Sequence, residues 1–205
     1  MTDLWQYESA AKALGYKIIA GLDEVGRGPL AGPVVAACVV LPLGFDLTGI
    51  NDSKKLTEKQ RERAEERILC EALAVGFGVI APEIIDQINI LQATHQAMRA
   101  AFCSVSLTPD FALIDGLPIP RLPCPNQQAI VSGDSHSVSI AAASIIAKVA
   151  RDRMMREHDT QYPEYGFAGH KGYGAAKHLA ALLEHGPCPI HRRSFAPVAA
   201  SLRKL

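Results

Sequence analysis

Apolar runs and the polar breaks between them divide the chain into short β-prone and longer helical stretches. The run from Ile18 to Leu22 stops at two adjacent carboxylates, Asp23 and Glu24, and Gly26-Arg27-Gly28 leads on to a second run from Val34 to Leu41. Two such segments joined through a glycine-rich turn predict a hairpin-like pair of strands. Val75–Ile80 and the buried-type run from Asp110 to Asp115 read as further strands, with a brief one at Ala129–Val131. Residues 2–16 have the pattern of a short amphipathic helix. Thr57 with Gln60 three residues on is a capping box and opens a charged helix through about Leu73. Pro82 opens a short helix, and Asn89 caps a longer one through about Ser104. From Val138 to Glu157 an alanine-rich stretch predicts a long, largely buried helix. Ala175–Glu184 is a helix stopped by Gly186-Pro187, and Pro197 starts a last short one. Leu117–Pro125, Tyr162–Gly174 and His191–Phe195 are expected loops.

The carboxylates fall at segment ends. Asp23 and Glu24 close the first strand, Asp115 closes the strand from 110, and Asp134 sits in a Gly133-Asp134-Ser135 turn. In an open α/β sheet, sites collect where strands end. Neighbouring side chains on a strand point to opposite faces, so Asp23 and Glu24 share a site only if pairing breaks there. Asp-Glu at a strand end is also ordinary turn composition. A dinucleotide fingerprint is excluded after Gly26-Arg27-Gly28, because Pro29 and Gly32-Pro33 interrupt the helix it requires. Four carboxylates in one cluster repel each other unless divalent cations neutralise them, and hard oxygen ligands favour magnesium or manganese over zinc. Two such ions about 4 Å apart support in-line displacement at a phosphodiester. Asp152 competes as fourth ligand, but it lies 18 residues beyond Asp134, about 27 Å if the chain between is helical. With Arg151 and Arg153 beside it, Asp152 reads as a surface ion pair.

Hydrophobic residues make up 48% of the 205 residues, ample for a core, and the net charge is zero. That balance argues against a protein that coats nucleic acid non-specifically. The charge is uneven, however. Residues 1–147 hold 11 Lys and Arg against 16 Asp and Glu, whereas residues 148–205 hold 10 against 5. An acidic part joined to a basic one suits an enzyme that processes a polyanion. Five scattered cysteines without a C-x-x-C pair fit reduced thiols in a cytoplasm. No apolar run is long enough to span a bilayer. Lys54 and Lys55 precede a helix start, where lysines and backbone donors together hold a phosphate. They are equally ordinary as solvated loop lysines.

The segments Ala20–Leu30, Asn51–Leu56, Leu113–Gly116, Gly133–Ser135, Ala141–Val149, His170–Tyr173 and His191–Phe195, in this order and spacing, resemble bacterial ribonuclease HII over about residues 17–200. The resemblance implies a ribonuclease H-like fold, a mixed five-stranded sheet flanked by helices. It implies a single catalytic unit over residues 1–205, with about 160–205 forming a basic, helical, substrate-binding part. It further implies cleavage of the RNA strand of RNA–DNA hybrids and incision 5′ to a single ribonucleotide in duplex DNA, leaving 3′-hydroxyl and 5′-phosphate ends. Asp23, Glu24, Asp115 and Asp134 would hold two manganese or magnesium ions. Gly26, Arg27 and Gly28 would read the 2′-hydroxyl, and Tyr173, exposed between glycines, would lie against the next sugar. Lys54, Lys55, Lys171, Arg192 and Arg193 are the expected phosphate contacts, while His170 and His191 either touch phosphate or brace loops, the brace being the favoured role. The expected partner is nucleic acid, bound by a cytoplasmic monomer without a membrane. Ribonuclease HIII enzymes carry an extra N-terminal domain, for which sixteen residues before the first strand leave no room.

Overall fold

Local chemistry sets most of the boundaries in the computed structural model, which describes residues 3–50, 53 and 56–202. Strands β1 (Ile19–Val25) and β2 (Val34–Val40) pair antiparallel, and β3 (Ala74–Ile80) pairs antiparallel with β2. On the other side β1 pairs in parallel with β4 (Phe111–Asp115), and β4 in parallel with β5 (Gln127–Ile130). The result is a mixed five-stranded sheet of order β3-β2-β1-β4-β5. β5 starts earlier than its apolar residues suggest. Ala112 pairs with Gln127, whose side-chain amide is satisfied by the backbone of Ile119.

Helices cover both faces. Besides α1 (Gln6–Ala13), helix α2 (Glu58–Glu71) begins at the expected capping box, with Thr57 and Gln60 bonded reciprocally. Helix α3 (Pro82–Ser104) is interrupted at Asn89, whose φ is 69° and whose side-chain oxygen accepts from the Gln92 amide. Asn89 therefore caps the second half as its residue type predicts. Helix α4 (Val138–Gln161) runs four residues past the expected end. Beyond it come the single turn α5 (Phe167–His170), inside the expected loop, then α6 (Ala176–His185) and α7 (Ala196–Leu202).

Strand alternation decides which helix each side chain meets. Ala20, Leu22, Ala36 and Cys38 pack with Ala93, Ala97 and Phe102 of α3, whereas Ala37 and Val39 pack with Ile68 of α2 and Ala142 and Ile145 of α4. Two glycines let the layers close. A Cβ on Gly78 would lie 1.9 Å from the Ala97 carbonyl oxygen, and one on Gly21 would lie 2.1 Å from the Ser139 backbone. The α4 N-terminus thus lies directly on β1, behind the strand's last carboxylates. No helix among the described residues is long and apolar enough to cross a membrane.

Candidate active site

The parallel ladder between β1 and β4 ends at Leu22–Ile114, while β1 stays paired with β2 through Val25. The C-terminal ends of the two parallel neighbours therefore part, and Asp23, Glu24 and Asp115 stand at the opening. This is the break in pairing that lets adjacent carboxylates serve one site. All three line a cavity of about 190 Å³, with Val25, Ser53, Ser144, Lys148 and Tyr173. Glu24 and Asp115 also border a smaller cavity towards α3, with Arg27, Thr94 and His95.

Each acid has a defined anchor. Asp23 accepts from its neighbour's amide at 2.7 Å, and the Ser144 hydroxyl beside it lowers its pKa against the effect of burial. Ser144 in turn lies 2.9 Å from the Ser53 hydroxyl, which ties the cavity to the loop before α2. Asp115 accepts from the Gly133 amide at 2.7 Å, so the turn carrying Asp134 is bonded to the β4 acid. Asp134 itself is buried in the 3₁₀ turn Gly133–Ser135 and is outside the cavity lining. The structure thus gathers three of the four acids round one cavity and holds the fourth one residue from an Asp115 hydrogen bond. As placed, no three His, Cys, Asp or Glu side chains among the described residues form a metal-ligating group.

Burial, and then the charges of Glu24 and Asp115, hold the Asp23 carboxyl well above the usual carboxylate range. Glu24 is raised as well, chiefly by burial, although Arg27 at 3.3 Å counteracts this. Removing a charged group from water disfavours its charged form, so the site stores unfavourable negative charge.

The Gly26–Gly28 turn and Tyr173 come together. A Cβ on Gly28 would touch the Tyr173 ring at 3.5 Å, and Tyr173 is 46% exposed, as its glycine-flanked position suggests. His170 and His191 are braces: His170 bonds Tyr165 and Gly172, and His191 bonds Cys188 and His178.

The expectations for the remaining charged residues need correction or closer placement. Arg192 is fully buried and donates to the carbonyls of Gly26, Arg27 and Gly32. It scaffolds the glycine turn rather than contacting phosphate, because a guanidinium taken out of water must have its donors satisfied. Asp152 is an ion pair but a buried one, bonded to Lys148 at 2.7 Å and 3.8 Å from Arg61. Arg193 is exposed, with its amide on Asp86, and the Lys171 ammonium folds back onto the Ala168 carbonyl. Lys54 and Lys55 lie outside the described residues.

A family model described as Ribonuclease HII matches residues 20–198. The chain belongs to the ribonuclease HII family. It is therefore a type 2 ribonuclease H, an endoribonuclease acting on nucleic acid. Ribonuclease HII of Geobacter sulfurreducens is 57% identical over 200 residues, which cover 97% of this chain and 91% of that protein. Among solved structures, the ribonuclease H2 of Pyrococcus horikoshii OT3 superposes with a TM-score of 0.76 at 25% identity, covering 92% of this chain and 98% of its own. Bst-RNase HIII in complex with Mn2+ shares the fold at TM-score 0.74 and 19% identity, covering 95% of this chain and 72% of its own.

Within this ribonuclease HII framework, residue-by-residue reading missed Arg151. It is fully buried and donates to the carbonyls of Pro33, Lys171 and Ala31, joining the glycine turn to the Tyr173 loop. Its one signal in the sequence is an arginine at the close of the alanine-rich stretch 141–150. Burial lowers it to about 10, and Arg192 to about 9. Lys148, in the Ala141–Val149 segment, has no role in the linear reading, yet it lines the carboxylate cavity.

Proposed function

We propose that this enzyme cleaves the RNA strand of RNA–DNA hybrids and incises 5′ to single ribonucleotides in duplex DNA, leaving 3′-hydroxyl and 5′-phosphate ends, as the first step of ribonucleotide removal. The observation that carries the reading is the cavity where β1 and β4 part. It is lined by three carboxylates whose burial and mutual repulsion favour a bound cation.

Asp23, Glu24, Asp115 and Asp134 are the residues that would hold two magnesium or manganese ions. Such ions, when bound, activate a water and stabilise the leaving oxygen. The protein's own contribution is placement. Asp115 and the Asp134 turn are linked through the Gly133 amide, and Asp23 is oriented by Ser144. Gly26, Arg27 and Gly28 approach the ribose, whose 2′-hydroxyl distinguishes RNA from DNA. Tyr173, beside Gly28, packs against the following deoxyribose and sterically disfavours, without excluding, another hydroxyl there. Exposed Arg193 and the basic segment 160–205 contribute positive charge towards the duplex.

The decisive experiment is a DNA duplex with one ribonucleotide, incubated with magnesium, manganese or chelator. Cutting only 5′ to the ribonucleotide and only with metal is expected. Cutting at all-DNA positions, or binding without incision, rejects the proposal.

A further inference from the structure

Behind Tyr173 lies a buried line of polar groups whose hydrogen-bond directions are determined at both ends. His178 Nδ1 is 2.8 Å from the Tyr173 carbonyl oxygen, which can only accept, so Nδ1 carries the proton. The Cys188 amide, which can only donate, is 3.0 Å from His191 Nδ1, so that nitrogen is an acceptor. The two Nε2 atoms face each other at 3.0 Å. With both rings neutral one arrangement satisfies these three contacts, His191 Nε2–H donating to the His178 Nε2 lone pair, while the Cys188 thiol lies 3.1 Å from the accepting His191 Nδ1. A further proton on His178 would set two N–H groups against each other. Both rings are essentially inaccessible, packed beside Tyr165 and Phe167. Burial, and for His191 then the neighbouring His178, shifts both towards the neutral form, His191 to about 4.

We infer that His178 is a positioning residue for substrate discrimination, the last member of a Cys188–His191–His178 relay that sets Tyr173 at a defined spacing from the Gly26–Gly28 turn. The inference rests on the reading of Tyr173 as the group that senses the deoxyribose. The same segment grips the opposite side of that spacing. His191 bridges Ala31, the Arg192 amide donates to the Leu30 carbonyl, and the Arg192 guanidinium holds Gly26 and Arg27. The Leu30 amide donates to the Gly172 carbonyl, and a Cβ on Gly172 would lie 2.5 Å from the Ala31 oxygen. The two loops therefore have no slack between them, and residues 188–192 with His178 set their separation.

His178→Phe keeps the ring but removes both nitrogens, whereas His178→Asn retains a donor near the Nδ1 position. Phe is expected to lower kcat/KM on a single-ribonucleotide duplex about tenfold more than on a long RNA–DNA hybrid, the weight of one lost hydrogen bond, and Asn to restore the ratio. Equal losses on both substrates, or no rescue by Asn, overturn the inference, since a merely structural role predicts that result. The wild-type protein supplies a check independent of folding. At about pH 6, where an exposed ring is substantially charged, 15N spectra should show His178 neutral and protonated on Nδ1 and His191 neutral and protonated on Nε2. Opposite tautomers or a charged ring overturn it. Tyr173→Ala separates the two levels. If it leaves the substrate ratio unchanged, the reading of Tyr173 falls and the inference with it. If it abolishes the ratio while His178→Phe preserves it, the inference alone falls.

Discussion

Asp23 is kept by the fold at a cost. The residue is 5% exposed, and burial followed by the charges of Glu24 and Asp115 raises its pKa. An acid whose folded pKa lies above its unfolded value makes stability fall as pH rises from the unfolded value, here 3.8, through the folded one. Without divalent cation, Asp23→Asn is therefore expected to melt above the wild type, by a margin that widens as pH rises above the ordinary carboxylate value of 3.8. Manganese should raise wild-type melting far more than that of the variant. Thermal melts with and without chelator check both, and an Asn variant that melts no higher near neutrality would contradict this account of the site. Asp115→Asn asks a different question, because an Asn oxygen still accepts from the Gly133 amide. The fold should persist while cleavage drops by at least roughly 10²–10³-fold, the scale for losing a group that stabilises charge developing in a transition state. Single-turnover rates beside circular dichroism test it, and near-normal activity would remove Asp115 from the machinery.

At the scale of elements, the glycine turn after β1 owes its shape to two arginines from distant parts of the chain. Arg151 arrives on α4 and Arg192 from the loop before α7, and both spend their donors on backbone carbonyls. Gly26, at φ 95°, has no room for a side chain, since a Cβ would lie 2.3 Å from Arg151 Nε. Arg192→Met should destabilise the protein by about 2–4 kcal/mol, because it leaves buried carbonyls without donors. Chemical denaturation measures that loss. The same variant distinguishes a scaffold from a phosphate contact: losing a phosphate contact lowers the salt dependence of duplex binding by about one counterion. Here binding should weaken with its salt slope unchanged, and a reduced slope would return Arg192 to the interface.

Across the whole molecule, pieces remote in sequence converge behind the acids. The family match begins at residue 20, yet α1 lies before it and is tied into the site's foundations. Buried Glu8 accepts from the Ser137 hydroxyl at 2.6 Å and the Ser139 amide at 3.0 Å, at the start of α4. The Ser137 amide bonds the Gly133 carbonyl, and the Gly133 amide bonds Asp115. A carboxylate at a helix N-terminus is favoured by the helix dipole. Glu8→Ala is expected to cost about 1–3 kcal/mol and to speed amide exchange in the first turn of α4. Hydrogen exchange reads this directly, and unchanged protection there would show that α1 is only appended.

Periodicity and capping chemistry determined the elements, because they are local. Continuous apolar runs marked the strands, the Thr57–Gln60 box started α2, Asn89 broke and recapped α3, and glycines flanking Tyr173 implied its exposure. The placing of carboxylates at strand ends was legible for the same reason. Tertiary structure alone decided which ends meet: β1 and β4 are neighbours only because residues 111–114 pair in parallel with 19–22, some ninety positions earlier. It also decided the fate of charged side chains. Arg151, Asp152 and Arg192 look like surface residues in a linear reading, since charge near a helix end or in a basic loop is usually solvated. Their burial depends on carbonyls and counter-charges that other segments deliver, and no local pattern specifies where those will be.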